Sequence, residues 1–99
     1  MNTKHWLRVI ASKGQFSDEV AIRGADYNGE QFSFFAQDDF VQVVGDINSG
    51  SADAFLRVTR LDQKDDLVLI RLPGQTFGNG STITVMERDL SERKEREPA

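Results

Sequence analysis

Ala54-Phe55-Leu56-Arg57-Val58-Thr59-Arg60, the polar Asp62-Gln63-Lys64-Asp65, and Leu67-Val68-Leu69-Ile70-Arg71-Leu72 together decide the fold. In the first run Leu56 and Val58 alternate with Phe55, Arg57 and Thr59, the period-2 pattern of a strand with one buried face. The last run is nearly all apolar, as expected for a central strand. The polar residues between them are few and turn-forming, so the two runs read as a hairpin.

The same period extends in both directions. Leu7, Val9 and Ala11 alternate with Trp6, Arg8 and Ile10 over His5 to Ala11. Val20 and Ile22 alternate with Glu19, Ala21 and Arg23, and Phe32, Phe34 and Ala36 with Ser33 and Phe35. Phe40 to Val44 is apolar apart from Gln42, and Ile83 and Val85 alternate with Thr82, Thr84 and Met86. The breaks carry turn chemistry. Asn28-Gly29 tolerates the positive φ of a tight hairpin, Pro73-Gly74 suits the centre of a type II turn, and Gly78-Asn79-Gly80 is a second permissive turn. A single helical turn around Gln37 to Phe40, capped by Asp38, is expected. No internal repeat is legible.

This spacing of strands by short turns predicts an all-β chain: a small antiparallel barrel or compact sandwich of about six to seven strands, SH3-like or OB-like. Closure into a barrel is favoured, because it removes exposed edges in a short chain. One domain is expected over residues 1–86. Residues 87–99 are read as a charged tail, frayed or forming a short helix, with Leu90 anchoring its start.

Composition bounds the function. The 99 residues contain no cysteine and one histidine, with a formal charge of −4. Disulfides, thiolate metal sites and thiol catalysis are thereby excluded, and a lone His5 has no partners for a triad or a multi-histidine metal site. No apolar run approaches the ~18 residues of a membrane helix, and no apolar segment follows the N-terminus as in a signal peptide. No membrane partner is expected, and the expected location is cytoplasmic.

Carboxylates are the abundant reactive groups: Asp18-Glu19, Asp38-Asp39, Asp46 with Asp53, and Asp62 with Asp65 and Asp66. Each cluster falls in or beside an expected turn, where Asp caps and is solvated, so acid–base chemistry in a closed cleft is not expected. Asp46 to Asp53 has a passing likeness to a calcium loop. It fails at the diagnostic positions, because Ser51 replaces the glycine and Arg57 the bidentate glutamate. No glycine-rich phosphate loop is present, and Asn79-Gly80-Ser81 reads as a turn, although it matches a glycosylation sequon. No enzyme activity, cofactor or metal is expected.

The outward faces are more informative. Placing Leu7, Val20, Ile22, Phe32, Phe34, Leu56, Val58, Ile70, Ile83 and Val85 inside leaves Trp6, Arg8, Arg23, Phe35, Phe55, Arg57 and Arg71 outside. Acids thus gather at turns, while arginines and aromatics share strand faces. Exposed Trp, Phe and Arg are typical contact residues of protein interfaces, so Trp6, Arg8, Phe35, Phe55, Arg57 and Arg71 form the expected partner face of a non-catalytic interaction module. The competing structural role is core or edge cover, above all for Phe35 and Phe55. Single-stranded nucleic-acid binding through the same face is the alternative, disfavoured by the net negative charge. An accessory small-ligand barrel is a third reading. The partner's identity is not encoded in the chain.

Overall fold

A computed structural model describes residues 3–76, 78 and 80–94. The chain forms eight antiparallel strands: β1 (Thr3–Lys13), β2 (Glu19–Ala25), β3 (Gln31–Gln37), β4 (Val41–Val44), β5 (Ala52–Lys64), β6 (Leu67–Thr76), β7 (Gly80–Met86) and β8 (Leu90–Lys94). Three 3₁₀ turns, Asp38–Phe40, Ile47–Ser49 and Glu87–Asp89, connect them, and no α-helix is present among the described residues. The strand order is β3-β2-β1-β5-β6-β7, with β4 beside β5 and β8 beside β1. The sheet curls into a half-barrel until β3 packs against β6.

The expected alternation holds. Leu7, Val9 and Ala11, Val20 and Ile22, Phe32 and Phe34, Leu56 and Val58, Val68 and Ile70, and Ile83 and Val85 are all buried in one continuous core. β1, β2, β3, β5, β6 and β7 contribute alternate residues, because successive side chains point to opposite faces.

The turns follow local chemistry. Asp26 Oδ1 accepts hydrogen bonds from the N–H groups of Asn28 and Glu30, both at 2.9 Å, and Gly29 takes φ 79°. The β5–β6 turn places Asp65 at φ 55°, a left-handed conformation that Asp tolerates. Asp46 caps the short turn after β4 by accepting from the Asn48 N–H at 2.9 Å. Asp38 lies inside its 3₁₀ turn instead of capping it; the residue before the turn is Gln37, with no side-chain cap bond.

Two expectations are corrected. Pro73-Gly74 does not end a strand, since β6 runs through it to Thr76 and its pairing with β7 shifts between Arg71 and Thr76. Proline lacks a ladder donor, so it is tolerated where pairing lapses. Gly74 lies against the Phe34 ring, where a Cβ would stand 3.2 Å from the ring edge. Residues 87–94 likewise do not leave the domain. The Glu87–Asp89 turn returns the chain, and β8 pairs with β1 from Leu7↔Leu90 to Thr3↔Lys94. Leu90, half-buried against the core, anchors this return. Residues 95–99 of the expected tail and Asn79 of the sequon lie outside the described residues.

The topology also exposes a repeat that the sequence pattern hides. β1-β2-β3, a 3₁₀ turn and β4 recur as β5-β6-β7, a 3₁₀ turn and β8. Trp6-Leu7-Arg8-Val9 corresponds to Phe55-Leu56-Arg57-Val58, and Val20-Ala21-Ile22-Arg23 to Val68-Leu69-Ile70-Arg71. The pairing Val41↔Leu56 becomes Leu90↔Leu7, with the same register. The 3₁₀ turns are tied down alike: the Asp38 N–H donates to the Asp18 carbonyl at 2.9 Å, and the Glu87 N–H to the Asp66 carbonyl at 2.8 Å. β1 and β5 pair across a pseudo-twofold axis through Leu7↔Leu56, since these residues are at once partners and equivalents. Only these short runs keep the likeness; turn lengths and side chains elsewhere have diverged.

Leu7 and Leu56, 1% and 0% exposed, fill the centre of this junction. Leu56→Ala is expected to lower the unfolding free energy by about 3 kcal/mol in urea titration, in the usual range for a cavity of that size. A chain stopped at Met86 is expected to melt at a lower temperature than the full chain, because it strips β8 from the β1 edge.

Candidate functional site

The β1–β5 register brings four of the six expected contact residues together. Trp6 pairs with Arg57, and Arg8 with Phe55. These are two copies of one aromatic–arginine cross-strand pair, exchanged by the pseudo-twofold. Arg8 is exposed, while Phe55 and Arg57 are half-buried. Opposed residues on one face of an antiparallel pair lie close enough to interact directly.

Trp6 corrects the expectation of an exposed contact residue. It is 8% exposed. It stays outside the continuous core, as its outward parity requires, but it sits between Arg57 on β5 and Ser91 on β8. A charged tail over residues 87–99 would leave the indole open; the β8 strand closes that side. Along this pair of strands, His5 Nδ1, Trp6 Nε1 and Ser91 Oγ are buried with no hydrogen-bond partner among the described residues. Phe35 is half-buried on β3, opposite Ala21, and the register does not join it to the β1–β5 group.

Arg71 meets Arg57 in a cleft. On the β5 edge away from β1, β4 pairs only as far as Leu56 and β6 begins at Thr59. Arg57 and Val58 between them open onto a cleft of about 510 Å³, whose lining includes His5, Phe40, Arg57, Arg60, Arg71 and Pro73. The Arg57 guanidinium lies 4.7 Å from the centre of the Phe40 ring, a cation–π contact that limits its freedom. Arg60 stands 3.6 Å from the Glu87 carboxylate, which Gln63 also hydrogen-bonds. Among the described residues, Arg71 is exposed with no ion-pair partner.

The same lapse recurs on β1, where β8 pairs as far as Leu7 and β2 begins at Ile10. It leaves two smaller adjoining clefts of about 330 and 290 Å³ that share Arg8 and Asp53. Arg88 and Asp89 line the first, and Arg23 the second.

Sequence reasoning placed Arg23 on the outward face but outside the expected partner face, and missed Phe40, Arg60 and His5 as members of these clefts. A signal for Arg23 existed in the recurrence of its four-residue run at Arg71. The others join only through the partner change along β5. Among the described residues the large exposed apolar ones, Phe16, Tyr27, Val44 and Leu61, lie on four different segments. No group of three or more His, Asp or Glu side chains able to hold a metal occurs among the described residues, and no described helix is long and apolar enough to cross a membrane.

Comparison with protein-family models, with curated proteins and with solved structures gives no match to this chain.

Trp6 is the only tryptophan. Its fluorescence is expected to be blue-shifted and resistant to iodide and acrylamide. Red-shifted, readily quenched emission would contradict its place between β5 and β8.

Proposed function

We propose that this chain is a non-catalytic interaction module that engages a protein partner through the outer face of β1 and β5. The observation that carries this reading is the doubled aromatic–arginine pair about Leu7↔Leu56. Arg8, Phe55 and Arg57 supply a contact surface of the residue types that dominate protein interfaces, with Arg71 at its margin. Trp6, buried beside Arg57, flanks this surface and is not itself a contact. The non-catalytic part rests on the sequence, with its single histidine, absent cysteine and carboxylates placed in turns. A protein partner is preferred to a nucleic acid because the net charge is negative and phosphate attraction dominates nucleic-acid affinity.

A photo-crosslinking amino acid placed at Phe55 is expected to trap one discrete protein in an extract of the source cells. Arg8→Glu in the same chain is expected to cut that yield about tenfold, as for loss of an interface anchor. Equal trapping from a control site at Gln63, or trapping of nucleic acid alone, would overturn the reading.

A further inference from the structure

The internal duplication supplies a control within one molecule. The β5 cleft and the paired β1 clefts occupy equivalent places, so their side chains can be compared position by position. Among the described residues both sides hold three arginines: Arg57, Arg60 and Arg71 on one, Arg8, Arg23 and Arg88 on the other. Arg57 is the counterpart of Arg8, and Arg71 of Arg23. The carboxylates differ. On the β1 side Asp53 and Asp89 share the lining with the arginines. The equivalent positions on the β5 side are Lys4 and Phe40, and no carboxylate lines that cleft among the described residues. Glu87 engages Arg60 from outside the lining and is about half exposed, which limits its hold.

We propose that the cleft between β4 and β6 is an oxyanion-binding site, and that its counterpart on β1 is not. This goes beyond the protein-partner reading and does not depend on it. Phosphate and carboxylate groups share the chemistry required, which is planar donors arrayed around a concentrated negative charge. Arg57 reaches the cleft from β5 and Arg71 from β6, so an oxyanion seated there meets donors from two strands. Phe40 performs two tasks. It replaces the carboxylate found on the β1 side, and its ring orients the Arg57 guanidinium, reducing the entropy lost on binding. The oxyanion has two possible sources, a free small anion or an acidic segment of a partner chain.

Calorimetric titration at low salt tests this with inorganic pyrophosphate and, separately, a short poly-glutamate peptide. At least one probe is expected to bind saturably at a single site. Arg57→Ala and Arg71→Ala are each expected to weaken that binding about tenfold, as for loss of a charge-assisted hydrogen bond. Arg8→Ala and Arg23→Ala are expected to leave it within about twofold, as for screened surface charges. Phe40→Asp, which installs the carboxylate of the β1 side, is expected to abolish binding, while the neutral Phe40→Asn retains more of it. If either Phe40 variant proves unfolded by circular dichroism, the four arginine variants carry the test alone. Binding of pyrophosphate identifies a free anion as ligand, and binding of poly-glutamate alone identifies an acidic segment. Absence of saturable binding by both probes, or equal losses from Arg23→Ala and Arg71→Ala, would overturn the proposal.

Discussion

The fold depends on the pairing of Leu7 with Leu56. Each leucine is the other's cross-strand partner and also its structural equivalent, so one contact joins the two halves and fixes their relation. Two side chains so fully buried contribute about 1.5–3 kcal/mol each. Shifting this register by one residue would turn the inner faces of β1 and β5 outward together, which makes the junction a strong determinant of every pairing built on it. The placement of Trp6, Arg8, Phe55 and Arg57 follows from the same register, since these flank the two leucines on the opposite face of the sheet.

From that junction the two halves interlock. β4 completes the edge of β5 and β8 completes the edge of β1, so each half lends its last strand to the other. The long strands change partners midway, and the lapses at Arg57–Val58 and Arg8–Val9 are where clefts open. Gly24 and Gly74, both packed on phenylalanine rings, allow close approach elsewhere; at Gly24 a Cβ would fall 2.6 Å from the Phe32 ring. The clefts therefore lie where the sheet's own construction is discontinuous, and require no inserted loop.

Much of the fold was legible in the sequence. Period-2 alternation identified seven strands and the parity of Leu7, Ile22, Phe34, Leu56 and Ile70, because burial of one face is a local, repeating constraint. The eighth strand was not legible: Leu90 is followed by charged residues whose composition resembles a solvated tail, and only the distant β1 edge makes them a strand. Pro73-Gly74 misled for a related reason, since turn propensity is local and the packing of Gly74 on Phe34 is not. The candidate site was half legible. Parity separated outward arginines and aromatics from the core, but the shielding of Trp6 and the entry of Phe40 and Arg60 into the cleft depend on which strands become neighbours. The duplication itself survives in short matching runs, too brief to stand out against the common alternation of β sequences.

The interleaving of strands has a kinetic consequence. β1 cannot complete its edge until the last strand has been made, since Leu7 pairs with Leu90 across nearly the whole chain. Such long-range closure carries a loop-entropy cost before its contacts repay it, and places the protein among sheet topologies that fold in about milliseconds to seconds. During synthesis the first half emerges with its β1 and β4 edges unmatched, and the strands that match them belong to the second half. A second copy of the first half presents an equivalent β1 edge and an equivalent β4. Exchange of strands between nascent chains is thus the misassembly to which this architecture is most exposed, and rapid arrival of β5 is what forestalls it.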